Sequence, residues 1–313
     1  MRVGVLVASY GAPRSLEEIA SYFTHIRRGH PPSPEELDDL IRRYQTVGGT
    51  DRLLRETERQ VFSLRRILSA LLPSDDLPLV SAYRHAPPYL EDGVRELAAQ
   101  GVQSILLLPL APHYSPAHHV EYAERVRSAA EPLGLEVRVV EDYGTHPCLV
   151  AWWAEVVRGA WEDDGSYVLF TAHSLPVPPE DPYVRSLERL AAAVARTAEI
   201  PEGRYRLAFQ SAGRPGLPWI GPDVGEVLPE VARRARRVLV APIGFVSEHL
   251  EVAYDLDVEA RAVAEEHGLA FHRLPLPGSS AAFVGMLAAL VLEELREARA
   301  YAEDGRRSGR EKV

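Results

Sequence analysis

Phe170-Thr171-Ala172-His173-Ser174-Leu175-Pro176 is the stretch on which the reading of the fold turns. Residues 167–170 form a short apolar run rich in β formers, the pattern of a buried strand. His173 falls where that strand stops. Pro176, Pro178 and Pro179 follow, and proline locks φ and lacks an N–H, so no helix starts at once and the exit is stiff. In an open parallel sheet, ligands bind outside the carboxyl ends of the strands. An imidazole is therefore expected on a rigid turn at the mouth of a sheet. A strand-end histidine also serves simply as a hydrogen-bonded cap, so the rest of the chain must decide.

Working outward, the same strand–loop–helix unit recurs on both sides. The first strand, 2–9, runs into Ser9-Tyr10-Gly11-Ala12-Pro13, which puts Tyr10 at another carboxyl end. Ser15 and Glu18 have the spacing of a capping box and predict a helix start. Ser33 and Glu36 repeat it before a helix carrying Arg42, Arg43 and Tyr44, which Gly48-Gly49 breaks. Further strands are expected at 79–83, 104–110 and 136–140, with helices at 53–72, 89–100 and after 115. In the second half, strands are expected at 206–210, 237–243 and 270–274, and helices at 148–161, 181–197, 224–234 and beyond 250. An apolar helix at 281–300 follows, and the charged tail from Glu303 is expected to fray. Leu108-Pro109-Leu110-Ala111, then Ser115 and Gly134, parallels Ala241-Pro242-Ile243-Gly244, then Ser247 and Gly268, a weak internal repeat. The expected class is α/β: two similar Rossmann-like lobes, each a parallel four-stranded sheet flanked by helices. The lobes are expected at 1–145 and 146–280, with the C-terminal helix packing back on the first. A cleft between two such lobes is a common ligand site.

Composition narrows the function. The 313 residues contain one cysteine, Cys148, which excludes an internal disulfide and an all-cysteine iron–sulfur site within one chain. Net charge is −10, against a general nucleic-acid binder. No apolar run approaches the roughly 20 residues that span a bilayer. Met1 leads directly into a strand with no signal peptide, so a cytoplasmic location is expected. There is no GxGxxG and no Walker lysine. Lys312 is the only lysine. Arginine grips carboxylates with a bidentate fork, although genome composition alone also produces such a bias. His25, Arg27, Arg28, His30, Arg42 and Arg43 fall on two segments joined by Pro31-Pro32. In an acidic protein this points to a pocket rim for an acidic ligand rather than a solvated basic face.

Glu251, Asp255 and Glu259 are spaced i, i+4, i+8 and so share one helical face. Like charges at that spacing repel by a few tenths of a kcal/mol per pair. An exposed acidic face tolerates that, but Glu251 sits among Phe245, Val246, Leu250 and Val252, at the same sheet edge as His173. A carboxylate row leading to an imidazole is a path for a divalent cation, held loosely by oxygen and passed to nitrogen. His173 and Glu251 alone are too few for a closed zinc site. Two roles stay open: a transient site delivering a metal, or a base accepting protons.

Five motifs carry a resemblance: Ser9-Tyr10-Gly11-Ala12-Pro13; Tyr22-Phe23-Thr24-His25-Ile26-Arg27-Arg28-Gly29; Ala172-His173-Ser174-Leu175-Pro176; Phe209-Gln210-Ser211 with Pro218-Trp219-Ile220-Gly221-Pro222-Asp223; and Pro242 through Glu251. Over nearly its whole length the chain resembles the ferrochelatases, most of all the short bacterial coproporphyrin ferrochelatases. The resemblance implies a chelatase-like fold in which His173 and Glu251 are catalytic and face the porphyrin centre. It implies that Tyr10 lies on the opposite side of the ring, and that Arg27, Arg43, Tyr44 and Tyr122 hold the macrocycle and its propionates. Asp255 and Glu259 would continue the metal path, and Trp219 would wall the cleft. The family pattern Gly-Gly-x-Ser-Pro-Leu is here Gly48-Gly49-Thr50-Asp51-Arg52-Leu53, with Asp51 where a small hydroxyl is expected beside a propionate. That carboxylate would repel the substrate unless Arg52 compensates.

The expected activity is insertion of Fe²⁺ into coproporphyrin III to give coprohaem in haem biosynthesis. Fe²⁺ is then a substrate, with no permanently bound cofactor and no iron–sulfur cluster. A monomer is expected, with upstream and downstream haem-pathway enzymes as candidate partners. Three alternatives stand beside it: a protoporphyrin IX ferrochelatase, a cobalt chelatase on a corrin precursor, and a non-catalytic porphyrin or haem carrier. The carrier would not need the acidic row.

Overall fold

The apolar runs become strands buried on both faces, as parallel sheets covered by helices require. The computed structural model describes residues 2–310 apart from 74–75, 163–164 and 214–215. In the first sheet β1 (Val3–Ser9) is central, and the order is β2-β1-β3-β4, with β2 Leu79–Tyr83, β3 Ser104–Pro109 and β4 Glu136–Val139. The second sheet has the same order, β6-β5-β7-β8, built from β5 (Ser166–His173), β6 (Tyr205–Gln210), β7 (Arg237–Ala241) and β8 (Ala270–Arg273). All pairs are parallel. β3 and β7 occupy equivalent places, which is the physical content of the repeat between 108–111 and 241–244.

Register aligns the carboxyl ends. Ser9 pairs with Tyr83, and His173 pairs with Gln210. Helices α1 (Ile19–Ile26), α2 (Pro34–Thr46), α3 (Arg52–Leu71), α4 (Leu90–Ala99) and α5 (Glu121–Ala130) belong to the first lobe. α6 (Pro147–Ala160), α7 (Pro182–Thr197), α8 (Val224–Ala232) and α9 (Arg261–Glu266) follow. The last helix, α10 (Ala281–Arg310), packs on α3 and α6. One apolar core runs through both lobes, from Val5 and Leu64 through Trp153 and Phe170 to Leu287. The lobes are therefore held together by shared buried apolar surface. Among the described residues, no helix is long and apolar enough to cross a membrane.

Three local expectations are corrected. Ser15 makes no side-chain cap; a 3₁₀ turn, Leu16–Glu18, precedes α1, and the Glu18 carboxylate accepts the Arg14 backbone N–H at 2.9 Å. By contrast Ser33 and Glu36 form the full reciprocal box, with bonds of 3.2 and 2.8 Å. The helix after residue 250 is wound as a π-helix over Val252–Ala260 before it becomes α9. α10 continues to Arg310 instead of ending near Ala300, carrying Gly305 and Gly309 within it.

Candidate active site

Three strand ends converge. His173 ends β5, Tyr10 follows β1, and the loop after β7 leads to Glu251 at the start of the π-wound helix. They line an apolar cavity of about 400 Å³ together with Tyr122, Trp219 and His249. His173 Nε2 stands 3.4 Å from Glu251 Oε2. Its Nδ1 meets the Ser174 carbonyl, which directs Nε2 toward Glu251. The Tyr183 hydroxyl donates to the His173 carbonyl at 3.0 Å. The Glu251 backbone is fixed too. Thr171 Oγ1 donates to Gln210 Oε1 at 3.1 Å, and Gln210 Nε2 donates to the Glu251 carbonyl at 3.1 Å.

Burial opposes charge on His173, but the neighbouring Glu251 carboxylate outweighs it and raises the pKa to about 9. The resting pair is thus imidazolium and carboxylate. His249 brings a second imidazole, with Nε2 3.7 Å from the same Glu251 oxygen. Burial lowers its pKa and keeps it neutral, and its Nδ1 has no hydrogen-bond partner among the described residues. Reading the sequence gave His249 no role. Its signal was its place two residues before Glu251 in a strand-end loop. Enclosure raises the Tyr10, Tyr44 and Tyr122 hydroxyls, and the Glu251 charge adds at Tyr10 and Tyr44, so all three remain protonated. Trp219 forms its wall because position 213 is glycine: a Cβ there would lie 2.5 Å from the indole.

The acidic row opens from this cavity. Glu251, Asp255, Glu259, Arg43 and Ser211 line an adjoining groove of about 500 Å³. Glu259 is half exposed, Asp255 is half buried, and Glu251 belongs to both spaces. The carboxylates therefore run from solvent to the cavity. Burial, then repulsion by Glu251, raises the Asp255 pKa to about 7, although the Ser211 hydroxyl donates to it. Among the described residues no group of three or more histidine, cysteine or carboxylate side chains could hold a metal ion. Arg43 stands in this groove. It bonds Asp39 at 2.7 Å, lies 3.8 Å from Glu259, and rests 4.7 Å above the Tyr254 ring.

Beyond Tyr10 and Trp219 lies a larger, open cavity of about 1090 Å³ lined by His25, Arg28, Arg84, His85 and Arg125. The basic cluster is thus only partly at this rim. Arg27 pairs with Glu36 at 2.7 Å, while Arg42 and Arg43 both pair with Asp39. Arg84 and Arg125 were not singled out from the sequence, though Arg84 sits just past the end of β2. Each forms a bidentate pair, with Glu121 and with Glu91 respectively. Asp51 lines none of these three cavities. Its partner is Arg55, at 3.1 Å, and not Arg52, which donates to the Val47 carbonyl.

The sequence model of the family described as Ferrochelatase matches residues 2–295. The chain belongs to the ferrochelatase family. Among its relatives, Coproporphyrin III ferrochelatase 1 of Bacillus cereus is 36% identical over 305 residues, covering 94% of this chain and 97% of the relative. Coproporphyrin III ferrochelatase of Oceanobacillus iheyensis is 34% identical over 306 residues, again 94% and 97%. Among solved structures, SirB from Bacillus subtilis with Fe³⁺ superposes with a TM-score of 0.59 at 13% identity, covering 97% of this chain and 98% of SirB. CbiX, described as the terminal enzyme for biosynthesis of siroheme in denitrifying bacteria, superposes with a TM-score of 0.53 at 16% identity, covering 93% and 98%. Both share the fold of this ferrochelatase chain.

Proposed function

We propose that the chain inserts Fe²⁺ into coproporphyrin III, giving coprohaem and two protons. The observation that carries the reading is the double placement of Glu251, beside His173 in the apolar cavity and at the inner end of the acidic groove. The named relatives support the choice of porphyrin.

The chemistry has three demands: Fe²⁺ must lose water, the pyrrole nitrogens must lose two protons, and the flat ring must bend. Fe²⁺ moves from Glu259 to Asp255 to Glu251, exchanging water for carboxylate oxygen at each station. A dication arriving beside the His173–Glu251 pair disfavours the imidazolium and expels its proton. The freed Nε2 then replaces a water ligand or takes a pyrrole proton, with Glu251 as second acceptor and His249 behind it. Tyr10 and Trp219 bear on the ring and press it out of plane. Tyr44, Tyr122, Arg27 and Arg43 hold the macrocycle and its propionates, joined by the cations of the outer cavity. Arg55 neutralises Asp51, so the departure from the family pattern leaves propionate binding intact. The same reading makes the chain a cytoplasmic monomer with no resident cofactor or iron–sulfur cluster. It exchanges porphyrin and haem with neighbouring enzymes of the pathway.

Anaerobic turnover with coproporphyrin III and with protoporphyrin IX tests the substrate. We expect kcat/KM to favour coproporphyrin by about tenfold or more, because protoporphyrin offers fewer carboxylates to the arginines of the site. The reverse preference would reassign the substrate. Tight porphyrin binding without metal insertion would leave a carrier.

A further inference from the structure

His113 lies at the carboxyl end of β3, in the first lobe, yet both of its ring nitrogens bond to the second lobe. Nε2 meets the Ile243 carbonyl at 3.1 Å, and Nδ1 meets Ser186 Oγ at 2.8 Å. The imidazole is 3% exposed and forms part of the cavity wall. One contact reaches the loop that leads to Glu251, and the other reaches the helix whose Tyr183 holds the His173 carbonyl. Ile243 begins the loop that delivers Glu251. Ser186 lies on α7, one turn beyond Tyr183, whose hydroxyl holds the His173 carbonyl and whose ring edge faces His113. The fit is close enough that Gly144 has no room for a side chain: a Cβ there would collide with His113 Nδ1 and lie 2.8 Å from Ser186 Oγ.

The same loop is gripped a second time from the first lobe. Buried Gln60 on α3 donates to Ser247 Oγ at 3.0 Å and to the Gly278 carbonyl at 2.9 Å. Interior hydrogen bonds that cross two lobes fix their relative placement, because breaking one strands a buried polar group.

We propose that His113 is a positioning residue: from the first lobe it sets the approach of Glu251 to His173 by holding the 242–250 loop and, through Ser186, α7. Neutral imidazole can make both bonds, Nε2–H donating to the carbonyl and Nδ1 accepting from the Ser186 hydroxyl, for whose one proton Asp142 Oδ1 at 3.3 Å is the competing acceptor. The kinetic consequence rests on the ferrochelatase reading, whereas the brace itself does not.

The test uses the whole chain with His113→Leu, which removes both bonds, His113→Gln, which keeps an N–H for Ile243, and Ser186→Ala. For His113→Leu we expect kcat to fall about 10²-fold, the cost of misplacing reacting groups by an ångström, with the porphyrin KM within about twofold. His113→Gln should recover most of that loss, and Ser186→Ala should lower kcat by about threefold with KM unchanged. Amide exchange over 242–250 should quicken about tenfold or more in His113→Leu, with β1 still protected. Wild-type kcat in His113→Leu, failure of His113→Gln to rescue it, or unchanged exchange over 242–250 would each overturn the proposal. If His113→Leu does not fold, His113→Gln and Ser186→Ala decide: equal kcat in wild type and Ser186→Ala overturns it. If the wild type inserts no iron, the functional reading fails, and the exchange measurement still decides the brace.

Discussion

His173 Nε2 and Glu251 Oε2 stand 3.4 Å apart at the ends of two neighbouring strands' chains of connection, and Asp255 is the next carboxylate outward. The pair stores one proton at rest, on an imidazole whose pKa is raised to about 9. In the proposed reaction, metal arrival and proton release are thereby coupled at a single point.

Glu251→Gln removes the charge that holds this proton, while the burial that opposes it remains. The His173 pKa should fall well below about 9, with the Ser174 carbonyl and Asp255 as its remaining support. Histidine NMR titration reads this directly. A His173 that still titrates near 9 in the variant would mean that Glu251 is not its partner.

Asp255 loses its proton near pH 7. Below that it is neutral and a poor cation ligand; above it, it is ionised. The KM for Fe²⁺ should therefore fall as pH rises through about 7. Asp255→Asn should flatten that dependence and raise the Fe²⁺ KM by about tenfold at pH 8, with kcat at saturating metal changed less than about threefold. A kcat loss as deep as that of a His173 variant would move Asp255 from the path to the centre.

His113 makes stability depend on pH in the opposite sense to His173. Burial lowers its folded pKa to about 4. Between about 6.5 and 4 the unfolded chain binds a proton that the folded chain refuses. Stability from this group is complete above about pH 6.5 and declines as pH falls toward 4, by up to about 3 kcal/mol. Urea unfolding at pH 7 and pH 4.5 should show a smaller difference for His113→Gln than for the wild type. Equal differences would count against a buried neutral imidazole.

Two glycines should respond to alanine with opposite signs. Gly144→Ala forces a Cβ against His113 and Ser186 and should cost about 2 kcal/mol. Gly159, near the end of α6, has nothing within 4 Å of an added Cβ, and Gly159→Ala should gain about 0.5 kcal/mol. Thermal melts of the two variants check both signs at once.

Much of this architecture is legible in the letters because parallel strands, covered on both faces, are written as short apolar runs. Where such a run stops, a polar residue marks the ligand edge, and Tyr10 and His173 were found that way. Capping boxes show the limit of spacing rules. Ser33 and Glu36 close one, but Glu18 is taken by the Arg14 N–H, a competition that no three-residue pattern displays. The spacing of Glu251, Asp255 and Glu259 placed them on one side of a helix without revealing its π winding. The rim was harder still, because Arg84 and Arg125 come together only through the packing of α4 on β2 and of α5 on α4. His249, two residues before Glu251, and Arg55, four residues after Asp51, are by contrast near neighbours in the chain, and the i, i+4 spacing of Asp51 and Arg55 is itself a sequence signal.

The most direct measurement is anaerobic single turnover, with coproporphyrin III bound to the protein before Fe²⁺ is mixed in. The free-porphyrin absorbance bands should vanish rapidly in the wild type. In His173→Ala they should vanish about 10³-fold more slowly, although porphyrin affinity stays within a fewfold, since an acid–base group acts on the step and not on the binding. Insertion at the wild-type rate by His173→Ala, or none by the wild type, would contradict the assignment of this cavity as the place where iron enters the ring.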